Sequence, residues 1–165
     1  MIAFRFSQTI LIAAVALLLT LLAVNNLTDY GSNFHYVAHV LSMDTTFPDN
    51  QLKWRALTNP ILHHLFYCTL ILWEAASASL CWVGAFHLYR SLRVERVLFH
   101  QAKSTAVYGL VVSMLQWLFA FLTVGGEWFV MWQSPTWNGQ EPALRMFVVT
   151  GIVLLFVSPS WDVSE

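Results

Sequence analysis

Four stretches of this chain are long, apolar and almost free of charged residues, and they constrain its fold more than any other feature. A helix that crosses a hydrocarbon core of about 30 Å needs about 20 mainly apolar residues. The four stretches lie at about 6–24, 61–88, 106–124 and 142–157. Only 10% of the 165 residues are charged, whereas a soluble domain carries roughly a quarter. We therefore predict an all-α membrane protein, a four-transmembrane-helix bundle that forms a single domain over residues 1–165.

Proline and glycine indicate where these helices begin and end. Pro60 and Pro142 fit the first turn of a helix, where a missing amide donor costs little. Gly125 and Gly126 follow the third stretch and predict a helix stop there.

The first apolar stretch has two interpretations, a retained membrane anchor and a cleaved signal peptide. A signal peptide has a shorter apolar core and a small-x-small cleavage site. Residues 22–26, with the sequence LAVNN, lack that site. We therefore predict that the segment is retained.

The distribution of arginine and lysine predicts the orientation, because basic residues near the ends of spans stay in the cytoplasm. Arg5 precedes the first span, whereas the connection 125–141 has no basic residue and the connection 25–60 has two against three aspartates. The inner connection 89–105 contains four basic residues, Arg90, Arg93, Arg96 and Lys103. We predict that both termini are cytoplasmic and that the loops 25–60 and 125–141 face outward, into the periplasm.

The two outward loops are expected to form an aromatic outer cap. Residues 33–42 predict a short amphipathic surface helix with Phe34, Val37 and Leu41 on one side. The second loop contains Glu127 and tryptophans typical of a membrane interface. We expect these tryptophans, with two amide side chains, to pack over polar residues of the first loop. The cap residues are Trp128, Trp132, Trp137, Asn138 and Gln140 over Asp29, Tyr30, His39 and Asp44.

Four uncommon strings lie in or beside these loops: NNLTDY at 25–30, HVLSMDTTF at 39–47, GGEWF at 125–129, and WQS with WNGQ between 132 and 140. Together they resemble the bacterial family of predicted small integral membrane proteins called domain of unknown function 2165. The resemblance runs through nearly the whole chain. It implies a bacterial inner-membrane protein with four spans, and it implies no known activity.

Glu74 lies near the middle of the second span, where a carboxylate is costly enough that it usually faces the bundle interior. Counting from the ends of antiparallel spans places Gln116 and Thr150 at a similar depth, which predicts an intramembrane polar cluster. In one hypothesis, the cluster takes part in moving a proton or cation, or contacts a polar ligand, inside the membrane. The alternative, which we favour, is an interhelical hydrogen bond worth about 1 kcal/mol, because a single acid makes a poor relay.

Four histidines are candidate metal ligands: His35, His39, His63 and His64. His35 and His39 are four residues apart, which on a helix places both rings on one face about 6 Å apart. With oxygen ligands from Asp44 or Glu127, a zinc or copper site is one hypothesis. The spacing alone is a weak signal, and the resemblance includes His39 but not His35. A haem would need histidines on facing helices, and the third and fourth spans contain none. No cofactor is therefore predicted, and metal, haem or quinone binding stays an alternative without support from the residues.

Lipid is the expected companion of this chain, and nucleic acid is excluded. The net charge of −1 and the lack of a long basic stripe are unlike a nucleic-acid binder. Arg90, Arg93 and Arg96 recur every three residues and are expected to contact anionic lipid headgroups, so bound phospholipid is expected.

No phosphate-binding glycine loop, nucleophile elbow or metalloprotease helix occurs in the sequence. The leading hypothesis is therefore a non-catalytic inner-membrane protein that binds a partner, as an accessory subunit of a larger respiratory or transport complex. One alternative is a transporter or an ion- or proton-conducting protein that uses Glu74. The other is a metal- or quinone-binding redox protein with a site near His39 and His63.

Overall fold

The computed structural model describes residues 2–158, and over these residues the chain is helical without strands. The α-helices are α1 (Ile2–Thr28), α2 (Tyr30–Ser42), α3 (Pro60–Arg90), α4 (Arg96–Ala102), α5 (Ser104–Leu115) and α6 (Gln140–Val157). A π-helix, Gln116–Trp128, continues α5, and single 3₁₀ turns lie at Lys53–Arg55 and Met131–Gln133.

Four helical segments are long and apolar enough to cross a membrane. They are α1, α3, α6 and the continuous segment Arg96–Trp128, which joins α4, α5 and the π-helix. The predicted all-helical fold with four spans is therefore confirmed.

The four spans form a closed ring, in which α1 packs on α3, α3 on α5, α5 on α6 and α6 on α1. The short helix α2 packs against α3. We call the end of the bundle with α2, residues 43–59 and residues 129–139 the loop end, and the opposite end the terminal end.

Two apolar clusters fill the bundle. The cluster nearer the terminal end joins all four spans, and its fully buried members include Ile12, Leu19, Cys81 and Leu110. The cluster beneath the loop end joins α2 and α3 to residues 129–131 and contains Tyr67, Ile71 and Met131. Along α3, Glu74 lies between Ile71 of one cluster and Ala78 of the other, so a polar layer separates the two.

The third span does not stop at Gly125 and Gly126, as the sequence suggested, but continues to Trp128. Both glycines are buried in the π-helix, and the Phe129 N–H donates to the Val124 carbonyl at 2.9 Å beyond them. A Cβ at Gly126 would lie 2.8 Å from Nε2 of Gln140, and one at Gly125 would lie 3.3 Å from Sδ of Met131. These glycines therefore permit close packing of neighbouring side chains and do not end the helix.

Two other glycines let α3 and α5 approach each other closely. A Cβ at Gly84 would lie 2.5 Å from Cα of Ala106, and a Cβ at Gly109 would lie 2.8 Å from both N and Sγ of Cys81. At both glycines the added Cβ would meet backbone atoms of the neighbouring helix, which cannot move aside as the end of a flexible side chain can. In lipid, the hydrophobic effect does not draw helices together. Small residues at such crossings instead permit the close van der Waals packing that holds the helices in contact.

Arg5 holds the terminal end together. Its side chain is buried, and Nη1 donates to the carbonyls of Leu92 at 3.2 Å and Val94 at 2.7 Å. The guanidinium also lies 4.6 Å from the ring centre of Phe99. The start of α1 is thus fastened to the turn that follows α3.

Replacing Gly109 or Gly84 with alanine is expected to lower the thermal stability of the protein in mild detergent. Overpacking costs about 1–3 kcal/mol, which exceeds the roughly 1 kcal/mol that alanine gains over glycine in helix propensity. Gly31 in α2 is the matched control, because an added Cβ there meets no atom within 4 Å. Gly31→Ala should keep or raise the melting temperature. An equal loss in all three variants would show that helix packing at Gly84 and Gly109 is not the cause.

Candidate functional site

The polar layer is centred on the carboxyl group of Glu74, which is only 3% exposed. Nδ2 of Asn26 in α1 donates to Glu74 Oε2 at 2.7 Å. Nε2 of Gln116, at the start of the π-helix, lies 3.4 Å from Glu74 Oε1 and 3.4 Å from the Leu70 carbonyl. Glu74 thereby links α3 to two of its neighbours in the ring.

The network continues from Asn26 toward the loop end. Asn26 Oδ1 accepts a hydrogen bond from Nδ2 of Asn33 at 2.6 Å. The Tyr67 hydroxyl lies 3.2 Å from the Asn26 carbonyl and 3.3 Å from Asn26 Oδ1. Asn26 therefore connects the buried acid to α2 as well as to α3.

The sequence placed Glu74 and Gln116 in one cluster, and the structure brings these two together. Thr150 is fully buried but does not join them, because its hydroxyl donates to the carbonyls of Met146 at 2.8 Å and Phe147 at 3.1 Å.

Sequence reasoning missed Asn26, because the first apolar stretch seemed to end at residue 24. The helix α1 continues to Thr28, and Asn26 follows Leu19 and Ala23 on the buried face. Extending the helical spacing of that face by one turn would have found it.

A cavity of about 270 Å³ borders the polar layer. Its walls include Asn26, Glu74 and four aromatic side chains, Tyr36, Tyr67, Trp117 and Phe121. Two buried polar atoms at this level have no hydrogen-bond partner, Oε1 of Gln116 and Nε1 of Trp117. Buried polar atoms are nearly always paired, so these two groups have unused capacity to bond a ligand or water.

Tyr36 of α2 lines this cavity on its loop-end side. Its hydroxyl donates to Sδ of Met131 at 3.1 Å and contacts Gly139, where a Cβ would collide with the hydroxyl oxygen. Burial raises the pKa of Tyr36 to about 12. The hydroxyl therefore stays protonated at neutral pH and remains a donor.

At the loop end, the ring of Trp137 stacks on His39 with 4.6 Å between the ring centres. His39 Nδ1 in turn lies 2.6 Å from Asp44 Oδ2. The geometry therefore brings these three predicted cap residues together.

The other two cap tryptophans have partners that the sequence did not single out. Trp128 meets Trp54 edge to face at 6.1 Å, and Trp132 meets Phe47 in the same way at 5.9 Å. The Arg55 guanidinium lies 4.5 Å from the ring centre of Trp128. We call these two contacts, Trp54 with Trp128 and Phe47 with Trp132, the loop-end aromatic pairs.

The remaining cap residues have other side-chain or backbone partners or are exposed. Tyr30 packs against Tyr67 and Phe34, and burial together with the hydrogen bond to Cys68 Sγ raises the pKa of Tyr30.

Asp29 accepts from the Ser32 hydroxyl at 2.7 Å, and Asn138 Oδ1 accepts from the Gln140 N–H at 3.1 Å. Glu127 is exposed.

The four candidate histidines do not form a ligand set. His63 Nε2 contacts the Leu57 carbonyl at 2.6 Å, and His64 Nδ1 lies 2.8 Å from the Tyr30 hydroxyl. His35 is exposed beside Phe34, and His39 is engaged with Asp44. Within residues 2–158, no three His, Cys, Asp or Glu side chains come together as a metal site would need.

The candidate lipid-binding arginines lie at the terminal end. Arg90 and Arg93 are exposed and Arg96 is half-buried. The Arg90 guanidinium lies 5.8 Å from the ring centre of Phe86.

Four apolar spans around a buried polar network define a small polytopic helical membrane protein. The chain belongs to the family described as predicted small integral membrane protein (DUF2165), which matches residues 4–159. This confirms the resemblance that the loop strings indicated. No curated protein and no solved structure shows a significant match to the chain.

A double-mutant cycle is expected to show coupling between Asn26 and Glu74. Asn26→Ala and Glu74→Ala should each lower the free energy of unfolding in mixed micelles. The double variant should lose less than the sum, with a coupling of about 1 kcal/mol, as for other hydrogen bonds within membranes.

Thr150→Val combined with Glu74→Ala is the matched control for this cycle. Thr150 is also buried, but its hydroxyl bonds only to carbonyls of its own helix among the contacts described. We expect additivity within about 0.3–0.5 kcal/mol for this pair. Strictly additive effects at Asn26 and Glu74 would contradict the hydrogen bond as the link between α1 and α3.

Proposed function

We propose that this protein is a non-catalytic subunit of a larger respiratory or transport complex in the membrane, and that it binds its partner at the loop end. The observation that carries the proposal is the exposure of the loop-end aromatic pairs. Trp54 is 72% exposed, and Phe47, Trp128 and Trp132 are each close to half exposed.

The composition of this region favours protein binding. Tryptophan and arginine contribute disproportionately to the binding energy of protein interfaces. The edge-to-face contacts and the Arg55 guanidinium hold the rings in place before any partner arrives. A pre-ordered ring loses little conformational entropy on binding. The pairs therefore suit a binding surface better than a catalytic one.

Affinity purification of the tagged protein in mild detergent, followed by mass spectrometry, tests this proposal. A stoichiometric membrane partner should be recovered with the wild-type protein. Trp132→Ala or Trp54→Ala should reduce its recovery by about ten-fold or more, the loss expected when an interface tryptophan is truncated.

Trp82→Ala is the matched control, because Trp82 in α3 is 45% exposed, the same fraction as Trp132. Its ring lies within a span, where contact with lipid explains the exposure. We expect Trp82→Ala to recover the partner as the wild type does. Purification of the protein alone, as a homo-oligomer, would refute the subunit role.

The second candidate function is transport or ion conduction that uses Glu74. The cavity beside Glu74 favours it, because an acid that reaches a cavity within the spans can meet a solute. In reconstituted vesicles, Glu74→Gln should then abolish solute or proton flux and leave partner recovery unchanged. Unaltered flux would exclude this function.

We further propose an inner-membrane location with both termini in the cytoplasm and the loop end outside. Arg90, Arg93 and Arg96 would then meet anionic phospholipid headgroups of the cytoplasmic leaflet, in keeping with the positive-inside rule.

Cysteine labelling tests this orientation. In a background in which the exposed Cys68 is replaced by serine, a membrane-impermeant maleimide should label Asn138→Cys in spheroplasts. Glu95→Cys, at the exposed terminal-end turn, should react only after permeabilisation. The reverse pattern would invert the topology.

A further inference from the structure

The cavity beside Glu74 has an unusual combination of walls. It contains one carboxyl group and four aromatic rings, and no arginine or lysine is among the residues that line it in the described part of the chain. The other wall residues are mainly apolar, such as Leu22, Leu70 and Ala143. The walls therefore combine one acid and several aromatic rings with no basic side chain beside them among the described residues.

A site that combines aromatic faces with a single acid is suited to organic cations. The face of an aromatic ring attracts an ammonium group, and several rings around one site bind quaternary ammonium ligands. A carboxylate in low dielectric adds charge attraction that water screens only weakly. Neither interaction requires the ammonium to donate a hydrogen bond.

We propose that this cavity binds a lipophilic organic monocation, an amine or quaternary ammonium with an apolar substituent. The cationic head lies beside Glu74 among Tyr67, Trp117 and Phe121. The inference goes beyond the subunit role and does not depend on it.

A second cavity provides space for the apolar substituent. It has a volume of about 210 Å³ and shares Tyr36, Val37, Leu70 and Phe121 with the first cavity, so the two adjoin. Its walls are almost entirely apolar and include exposed residues of two spans, Phe66 and Phe119. A ligand can therefore enter from the side of the bundle that faces lipid. Together the two volumes fall in the range of small-molecule sites, about 300–1,000 Å³.

Two other ligand classes fit the walls less well. An inorganic divalent cation needs several oxygen ligands, whereas Glu74 is the only acid that lines this cavity in the described chain. An anionic amphiphile would place its charge beside Glu74 with no basic side chain to balance it. Trp117 lines the cavity, and its unpartnered N–H can be satisfied by water that accompanies the cation.

Binding of three probes with equal alkyl chains tests the proposal: hexyltrimethylammonium, 1-hexanol and hexanoate. The purified protein is held in a nonionic detergent, and binding is measured by calorimetry and by quenching of tryptophan fluorescence. The ammonium probe should bind at least about ten-fold more tightly than the alcohol, a difference that corresponds to 1.4 kcal/mol. Hexanoate should bind more weakly than either. Equal affinities for the three probes would overturn the proposal.

Glu74→Gln keeps the shape of the side chain and should weaken ammonium binding about ten-fold without changing the affinity for 1-hexanol. Glu127→Gln is the matched control, because Glu127 is an exposed acid outside the cavity. It should bind the ammonium probe as the wild type does. Unchanged ammonium binding by Glu74→Gln would overturn the proposal.

Phe121→Leu keeps the charge and most of the apolar volume, and it serves also if Glu74→Gln fails to fold. Loss of one ring should weaken ammonium binding by about three-fold or more, in line with the strength of cation–π contacts. The affinity for 1-hexanol should stay the same. A parallel loss for both probes would show that the ring acts only as an apolar wall, which would contradict the proposal.

Discussion

The hydrogen bond between Asn26 and Glu74 determines how the two ends of this bundle relate to each other. Inside hydrocarbon, a polar side chain must find its partners within the protein, since no water replaces them. Glu74 finds one in α1 at 2.7 Å, and Asn26 passes the connection on to Asn33 in α2. The loop end is thus positioned by a contact within the spans as well as by its own apolar packing.

The fold could be read from the sequence because its main signal, an apolar stretch long enough to cross lipid, is local. The same reasoning predicted that Glu74 faces the bundle interior close to Gln116, since a buried acid requires a polar neighbour. Asn26 was missed because its burial depends on where α1 ends. The hydropathy of the sequence does not show that α1 continues for one more turn beyond the apolar stretch. Gly125 was misread because a glycine that permits close contact looks, in sequence, like a glycine that ends a helix.

The loop end was less predictable, and the reason is physical. Trp137, His39 and Asp44 lie together, and two of these residues lie close in sequence on and after α2. Trp128 and Trp132 instead contact Trp54 and Phe47, which lie in the irregular segment 43–59. A segment without periodicity gives no indication of which face it presents, so its long-range contacts cannot be derived from residue spacing.

The change of helix type at Gln116 explains why the helices pack closely toward the terminal end and leave cavities toward the loop end. Between α3 and α5, Gly84 and Gly109 bring the backbones together with regular α-helical spacing. From Gln116 onward the π-helix has more residues per turn, so its side chains no longer continue the register that fits α3. Trp117 and Phe121 of this segment line the cavity beside Glu74, and Phe121 also borders the apolar one. π-helical segments often occur at functional sites. We therefore interpret the change of winding, which leaves space beside a buried acid, as the origin of a binding site and not as a packing defect.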